Sequence, residues 1–380
     1  MNKRIIYILG GNYAANGMSQ VIVSKMNWLA INTDYRLYAV MTEGLGKPMF
    51  YPLNEQIQVV NFDINFDELD TMPLHKKMFH FIFKQLEYKK KLSKYLQNIK
   101  ADIVVSAMRR EINFINDIND GSKKIGEIHF NKSNYRIFHK TYLPQWINRF
   151  ITNQWRGKLI KEIKRLDNFV VLSYEDRKGW TELENVTVIH NFITSFPTLL
   201  SKCTEKSVIA AGRYTSVKGF DKLIKAWKIV NLTYPDWTLN IYGSGNNEYY
   251  QSLANNNELE NKVNCHPATS KIYQKFQESS IFALSSLYEG FGLVITEAMS
   301  CGLPVVSFAC PCGPKEIITD GVNGYLVEPG NIEALAERIC YLIEHEELRK
   351  EMGKAARKRA EDFREEKIMQ QWVDLFENIT

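Results

Sequence analysis

The chain has 380 residues, 45% hydrophobic and 24% charged. At roughly 100–200 residues per domain, that length suggests two domains, each burying a core of its own. No stretch approaches the ~18 uninterrupted apolar residues of a membrane span, and the opening run Ile5–Leu9 is too short for a signal peptide. The expected location is therefore the cytoplasm. All six cysteines lie in the second half, and Cys310-Pro-Cys312 lacks metal-ligand or redox spacing. They read as free thiols of a reducing compartment.

The formal net charge of +5 conceals an asymmetry. Residues 1–190 carry 28 basic and 19 acidic side chains, and residues 191–380 carry 20 and 24. The excess concentrates in residues 75–165, with 21 basic against 7 acidic. Such a region attracts anions: nucleic acid, an anionic membrane or a phosphorylated acceptor. No nucleic-acid recognition motif accompanies it, so nucleic acid is not expected as a partner.

Apolar runs of strand length alternate with longer segments of helical period. Arg4–Leu9, Tyr35–Met41, Ile57–Phe62, Asp102–Ser106, Lys124–Phe130 and Asn168–Leu172 read as strands. Gly17–Ile31, Leu74–Ile99 and Leu143–Leu166 read as the helices between them. The alternation restarts with a strand at Ser207–Ala211 and a helix at Phe220–Asn231. Further strands are expected at Trp237–Tyr242, Lys262–His266, Ile281–Ser285, Pro304–Ser307 and Gly324–Val327. The restart implies two α/β domains with parallel sheets, residues 1–190 and 191–380, with the last helix free to pack back on the first domain. The join falls in the polar, weakly periodic segment Asn191–Lys206. Two such domains imply a cleft lined by strand carboxyl ends.

Three constellations carry the chemistry. The first is Leu9-Gly10-Gly11-Asn12, with Asn16-Gly17 opening the next helix: a strand-to-helix turn able to approach a phosphate, or simply a tight turn. The second is Gly212-Arg213 with Lys218-Gly219. Both cations follow a strand and precede a helix, where they suit a diphosphate; a local acid pairing with Arg213 and a solvated Lys218 is the alternative. The third is Glu289-Gly290-Phe291-Gly292-Leu293, followed by Glu297-Ala298-Met299. Its glycines permit close backbone approach, and the helix that begins there offers unpaired N–H groups to an anion. Its two carboxylates suit sugar and ribose hydroxyls, each accepting more than one hydrogen bond. Helix capping by Glu289 and solvation of Glu297 are the alternatives.

Together with Gly302-Leu303-Pro304-Val305-Val306, these residues resemble the signature of the family 4 retaining glycosyltransferases, of the two-domain GT-B type. The likeness is strong from Val188 to Leu342 and weaker but collinear before it. It implies that Arg213 and Lys218 neutralise the diphosphate of a sugar nucleotide, that Glu297 holds the ribose and that Glu289 meets hydroxyls of the sugar. Gly17, Asn16, Gly212, Phe291, Gly292 and Leu293 complete the implied donor site. His129 resembles the histidine that reaches those sugar hydroxyls; by itself a lone histidine at a strand end is more often structural. Val188–Phe192 resembles the family's interdomain hinge, and Cys312-Gly313-Pro314-Lys315-Glu316-Ile317-Ile318 resembles a segment of polysaccharide-assembly members. The chain departs from the pattern at Asn16-Gly17, where a double glycine is common, and at Cys265-His266-Pro267-Ala268, where a glycine-containing loop lies near the base.

The expected activity is retaining transfer of a hexosyl group from a nucleoside diphosphate sugar, UDP-linked, to a hydroxyl of a saccharide acceptor. Cell-surface polysaccharide or lipid-linked glycan synthesis is the expected setting. An epimerase or phosphorylase on the same fold and a non-catalytic sugar-nucleotide-binding protein are the rival readings. No Asp-x-Asp is placed for a metal, and the cation pair makes one unnecessary, so no cofactor is expected. The helix Leu74–Ile99 mixes Met78, Phe79, Phe81, Ile82, Phe83, Leu86, Tyr88 and Leu92 with seven lysines. The segment Phe138–Arg165 repeats the mixture with Tyr142, Trp146, Phe150 and Trp155. Either suits an anionic membrane surface, or is an amphipathic helix with one solvated face.

Overall fold

The computed structural model describes residues 2–14, 16–135 and 144–379. It divides into two compact units, one of residues 1–172, 177–189 and 369–380, the other of residues 173–176 and 190–368. Each is built on a wholly parallel sheet.

In the first unit the strands are β1 (Arg4–Ile8), β2 (Arg36–Met41), β3 (Gln58–Asn61), β4 (Ile103–Ser106), β5 (Lys123–Glu127), β6 (Asn168–Val171) and β7 (Val186–Val188), in the order β3-β2-β1-β4-β5-β6-β7. Ile5, Ile6, Tyr7 and Ile8 are all buried, the continuous apolar run of a strand covered on both faces. The covering helices are α1 (Gly17–Asn32), α2 (Leu74–Ile99), α3 (Gln145–Lys164) and the short α4 (Tyr174–Gly179). The order reverses at β1, whose neighbours are β2 and β4. Leu143, and Phe138 and Tyr142 of the second aromatic segment, lie outside the described residues; the helix expected there is seen from Gln145.

In the second unit β8 (Ser207–Ala211), β9 (Thr238–Gly243), β10 (Val263–Pro267), β11 (Ile281–Leu284), β12 (Val305–Phe308) and β13 (Gly324–Val327) form a sheet ordered β10-β9-β8-β11-β12-β13. Its helices are α5 (Phe220–Thr233), α6 (Asn247–Asn255), α7 (Ile272–Gln277), α8 (Leu293–Ser300), α9 (Pro314–Ile317), α10 (Ile332–Glu344) and α11 (Glu346–Ala360). A last helix, α12 (Glu365–Asn378), follows, and its residues from Met369 onward belong to the first unit. Within the Val188–Phe192 segment the chain changes unit between Ile189 and His190. All six cysteines are free.

Two differences from the sequence reading matter. Val186–Val188 forms a strand that three alternating residues were too few to signal. The strand expected to run to Phe130 ends at Glu127, so His129 stands in the loop beyond it. Around that strand end lies a buried charge cluster. Glu127 and Lys25, each 1% exposed, form an ion pair of 2.5 Å, and the His129 ring lies 3.2 Å from the same carboxylate oxygen. The Lys25 ammonium also sits 3.4 Å above the Trp372 ring. Burial alone would raise the Glu127 carboxyl, but Lys25 and His129 outweigh it and hold it down at about 2. Burial lowers Lys25 to about 8.

Removing one partner of such a pair strands the other in a dry interior, typically at a cost of ~3–5 kcal/mol. Glu127→Gln is therefore expected to lower stability by about that amount at pH 7, and Lys25→Met with Glu127→Gln to cost clearly less. Because the Glu127 carboxyl titrates lower in the fold than its ordinary 4.5, its contribution is complete above that pH and disappears as pH falls toward 2. Urea melts between pH 3 and 7 check both points: the wild-type advantage over Glu127→Gln must shrink on the acid side.

Candidate functional site

In the second unit β8 runs out at Ala211 into Gly212-Arg213 and a 3-10 turn, Ser216–Lys218, before α5 begins. The turn is fixed by a close approach. Gly219 has φ +61°, and a Cβ there would overlap the Ser285 carbonyl oxygen, so only glycine fits. The Ser285 hydroxyl returns a bond of 2.9 Å to the Lys218 carbonyl. The Lys218 stem folds over Gly212, where a Cβ would meet its Cε at 3.1 Å. Its ammonium then reaches Glu289 Oε1 at 2.7 Å, with the two side chains 17% and 10% exposed. Lys218 is thus not a solvated residue. Arg213 is exposed and its guanidinium has no acid partner among the described residues.

Glu289 precedes α8, and the helix is capped by Gly292, φ +87°, without any side-chain bond. Glu289, three residues before that cap, is the partner of Lys218. Its backbone N–H donates to the Pro311 carbonyl at 3.1 Å. Gly313, φ +127°, presses so closely on the Phe291 carbonyl that a side chain there would collide with it. The Phe291-Gly292-Leu293 backbone is thereby held from behind, at the start of α8, where the first N–H groups of a helix have no partner within it. Behind Gly313, the Glu175 carboxylate accepts the Cys312 N–H at 2.8 Å, and the Glu175 N–H donates to Glu316 Oε1 at 2.6 Å. His190, 3.6 Å from Glu316, packs its ring on Phe291 and Phe363.

Glu297 lies one turn inside α8, among the buried Ile295, Thr296, Ala298 and Met299. Burial pushes its carboxyl up to about 7, an effect the neighbouring Tyr273 hydroxyl partly offsets. The Tyr273 hydroxyl is itself buried without a hydrogen-bond partner. A half-buried carboxyl beside a buried phenol is a pairing suited to hydroxyl groups from outside. The sequence reading missed Tyr273, which α7 supplies from 24 positions upstream, with no motif to announce it. Glu297 is half-buried and not a freely solvated side chain.

The remaining candidates belong to the first unit. The Asn16 side chain is engaged locally: its oxygen accepts the Ser19 N–H at 2.7 Å, and its amide donates to Ser19 Oγ at 2.8 Å. It is the N-cap of α1. Gly17 is exposed and open, with nothing within 4 Å of a Cβ placed on it. His129 is held against Glu127, as described. A pocket of about 230 Å³ lies at the carboxyl ends of β1, β2 and β3, its polar wall formed by Asn12, Tyr13, Glu43, Lys47 and Asn61.

The Glu297 carboxyl binds its proton more tightly in the fold than in the unfolded chain, so stability falls as pH rises from its ordinary 4.5 through 7. Glu297→Gln removes that loss. The variant should gain thermal stability relative to wild type on going from pH 5 to pH 8. A melting-temperature difference that does not change with pH would place Glu297 in a wetter setting than this.

Residues 191–359 match the family model described as glycosyl transferases group 1. An uncharacterised glycosyltransferase of Haemophilus influenzae is 29% identical over 97% of this chain and 99% of its own. A poly(ribitol-phosphate) alpha-N-acetylglucosaminyltransferase of Staphylococcus aureus is 27% identical over 65% of this chain and 51% of its own. Among solved structures, sucrose-phosphate synthase from Thermosynechococcus elongatus superposes with a TM-score of 0.81 at 17% identity, covering 100% of this chain and 99% of that one. TarM of S. aureus, in complex with fondaparinux, alpha-GlcNAc-glycerol and UDP, gives 0.76 at 17% identity over 98% and 99%. The chain has the GT-B fold, and its residues 191–359 match the model of the glycosyl transferases group 1 family.

Proposed function

We propose that the protein is a retaining, family 4 glycosyltransferase that moves a hexosyl group from a UDP-sugar to a hydroxyl of a saccharide acceptor. The setting would be cell-surface polysaccharide or lipid-linked glycan assembly. The observation that carries this reading is the Lys218–Glu289 pair beside the exposed Arg213, at the carboxyl end of β8. A pair of cations there meets the charge that grows on a departing diphosphate. The N–H groups at Phe291–Leu293 add to it, and Gly212 and Gly292 let the phosphates approach the backbone. No metal is invoked. UDP in the complexes of TarM and of the pneumococcal O-GlcNAc transferase GtfA supports the choice of base. The polyol-phosphate relative supports the setting.

In this reading Glu297 and Tyr273 hold the ribose, and Glu289 shares its carboxylate between Lys218 and hydroxyls of the sugar. The bond from the anomeric carbon to the diphosphate oxygen breaks while the acceptor hydroxyl attacks the same face. The hydroxyl proton passes to the departing oxygen. Lys218, already oriented by Glu289, needs no reorganisation to receive the new charge. The assignments of His129 to sugar hydroxyls and of Asn16 and Gly17 to the donor rest on resemblance. For Asn16 only groups not spent on the α1 cap remain. The first unit's pocket, with a phenol, a carboxylate, two amides and a lysine, has the chemistry of a saccharide acceptor site.

Arg213→Ala and Lys218→Ala should each lower kcat by roughly 10²-fold or more, since each removes stabilisation that grows in the transition state. Near wild-type turnover at saturating donor in either variant would remove the diphosphate role. The decisive assay is incubation with a panel of labelled sugar nucleotides, with and without saccharide acceptors. Transfer with the anomeric configuration kept supports the proposal. Isomerised donor would indicate an epimerase, phosphate-dependent release a phosphorylase, and binding without turnover a non-catalytic protein.

A further inference from the structure

Helix α2 has two apolar faces, only one of which the fold uses. Tyr88, Leu92 and Leu96 are buried in the first unit's core, with Phe81 packed against it. Met78, Phe79, Ile82, Phe83 and Leu86 point the other way and are 54–63% exposed. Their spacing of one and three to four residues places all five on one side of the helix. Phe79 and Phe83 touch, ring centroids 4.5 Å apart. The solvated face of α2 is thus largely apolar. Large apolar side chains contiguous over two turns mark an interaction surface.

The lysines of α2 divide in the same way. Lys77 pairs with Asp70, Lys84 with Glu68, Lys89 with Asp117 and Lys91 with Glu87. Lys76, Lys90 and Lys94 have no ion pair among the described residues, and Lys90 follows Leu86 by one turn on the apolar side. Glu87, the helix's sole acid, is spent on Lys91. The exposed face is therefore apolar at its centre and cationic at its ends, with no free carboxylate. A second copy of the chain placed on it would set lysines against lysines. A lipid surface carrying anionic headgroups complements both parts: acyl chains accept the apolar ridge, and headgroups accept the ammonium groups.

We propose that α2 docks the protein on a bilayer by inserting Met78, Phe79, Ile82, Phe83 and Leu86 at the headgroup–acyl boundary, with Lys76, Lys90 and Lys94 on anionic headgroups. Insertion is the main contribution, since four of the seven lysines are already neutralised within the protein. The ridge is about 12 Å long at 1.5 Å per residue, so the helix lies in the plane of the surface. This proposal does not depend on the chemistry assigned above, because docking is measured without donor or acceptor.

The test is co-sedimentation of the full chain with vesicles of neutral phosphatidylcholine and of phosphatidylcholine with phosphatidylglycerol. Phe79→Gln, Ile82→Gln and Phe83→Gln combined should lower partitioning to either vesicle by about tenfold or more, with the circular dichroism spectrum unchanged. Lys76→Ser, Lys90→Ser and Lys94→Ser combined should reduce binding to anionic vesicles toward the neutral level, as 1 M salt should, the Debye length then being about 3 Å. Equal binding by wild type and the glutamine variant, or no wild-type binding to either vesicle, would overturn the proposal. So would a wild-type dimer that binds no vesicle and that the glutamine variant dissociates, which would give the face to a second copy. Soluble-donor turnover is read separately, so loss of docking and failure of the glycosyltransferase reading give different results.

Discussion

The second unit depends on two places where one backbone presses against another. At Gly219 the Ser285 carbonyl fills the space of a side chain, and at Gly313 the Phe291 carbonyl does the same. Parallel strands end at one edge of the sheet, so loops from different strands must share that edge, and glycine sets how closely they can approach. The first contact ties the β8 loop to the end of β11, and the second ties the β12 loop to the start of α8. Lys218 and Glu289 stand on the two sides of this arrangement. Their bond is a consequence of the backbone fit: the loops bring the two groups to 2.7 Å, and neither side chain has to search for the other.

Three buried or half-buried acids show how the same residue type is put to different uses. Glu127 is matched by Lys25 and His129 within the core, both contacts falling on Oε1 while Oε2 is buried without a hydrogen bond. Glu289 is paired with Lys218, both side chains keeping only a small exposed fraction. Glu297 has no cation at all among the described residues, only a phenol nearby, and burial lifts it to about 7. Glu297 leaves electrostatic cost that no cation among the described residues offsets, which is the usual mark of a site that awaits a ligand.

The two parallel sheets were legible because strands buried on both faces are continuous apolar runs, and nothing else in the chain reads that way. Ser207–Ala211, Gly324–Val327 and Leu74–Ile99 were placed without error at either end. The motif residues around β8 and α8 were legible because glycines and charges at a strand end have few structural uses. What escaped was long-range. Tyr273 and Glu175 reach their partners from 24 and 137 positions away, and no local pattern encodes that. The local cap made by Asn16 was missed for a different reason: its spacing to Ser19 fits a cap as well as a phosphate contact, and the structure shows the amide spent on the cap.

Helix α2 marks the limit of composition as a guide. Its aromatic and lysine content suited a membrane, but content alone gives the attraction to the lysines. The ion pairs reverse that emphasis. Asp70, Glu68, Asp117 and Glu87 withdraw four ammonium groups from the outside, while five large apolar side chains are left facing solvent. Exposed pairs of this kind add little to stability, ~0–1 kcal/mol each, but they change what the surface presents to a partner. Each exposed Phe or Leu on the ridge has ~1.5–3 kcal/mol to gain by leaving water, against ~1 kcal/mol for a lysine near an anionic surface. In the proposed docking the greater share of the energy would therefore come from the residues that a charge count does not see.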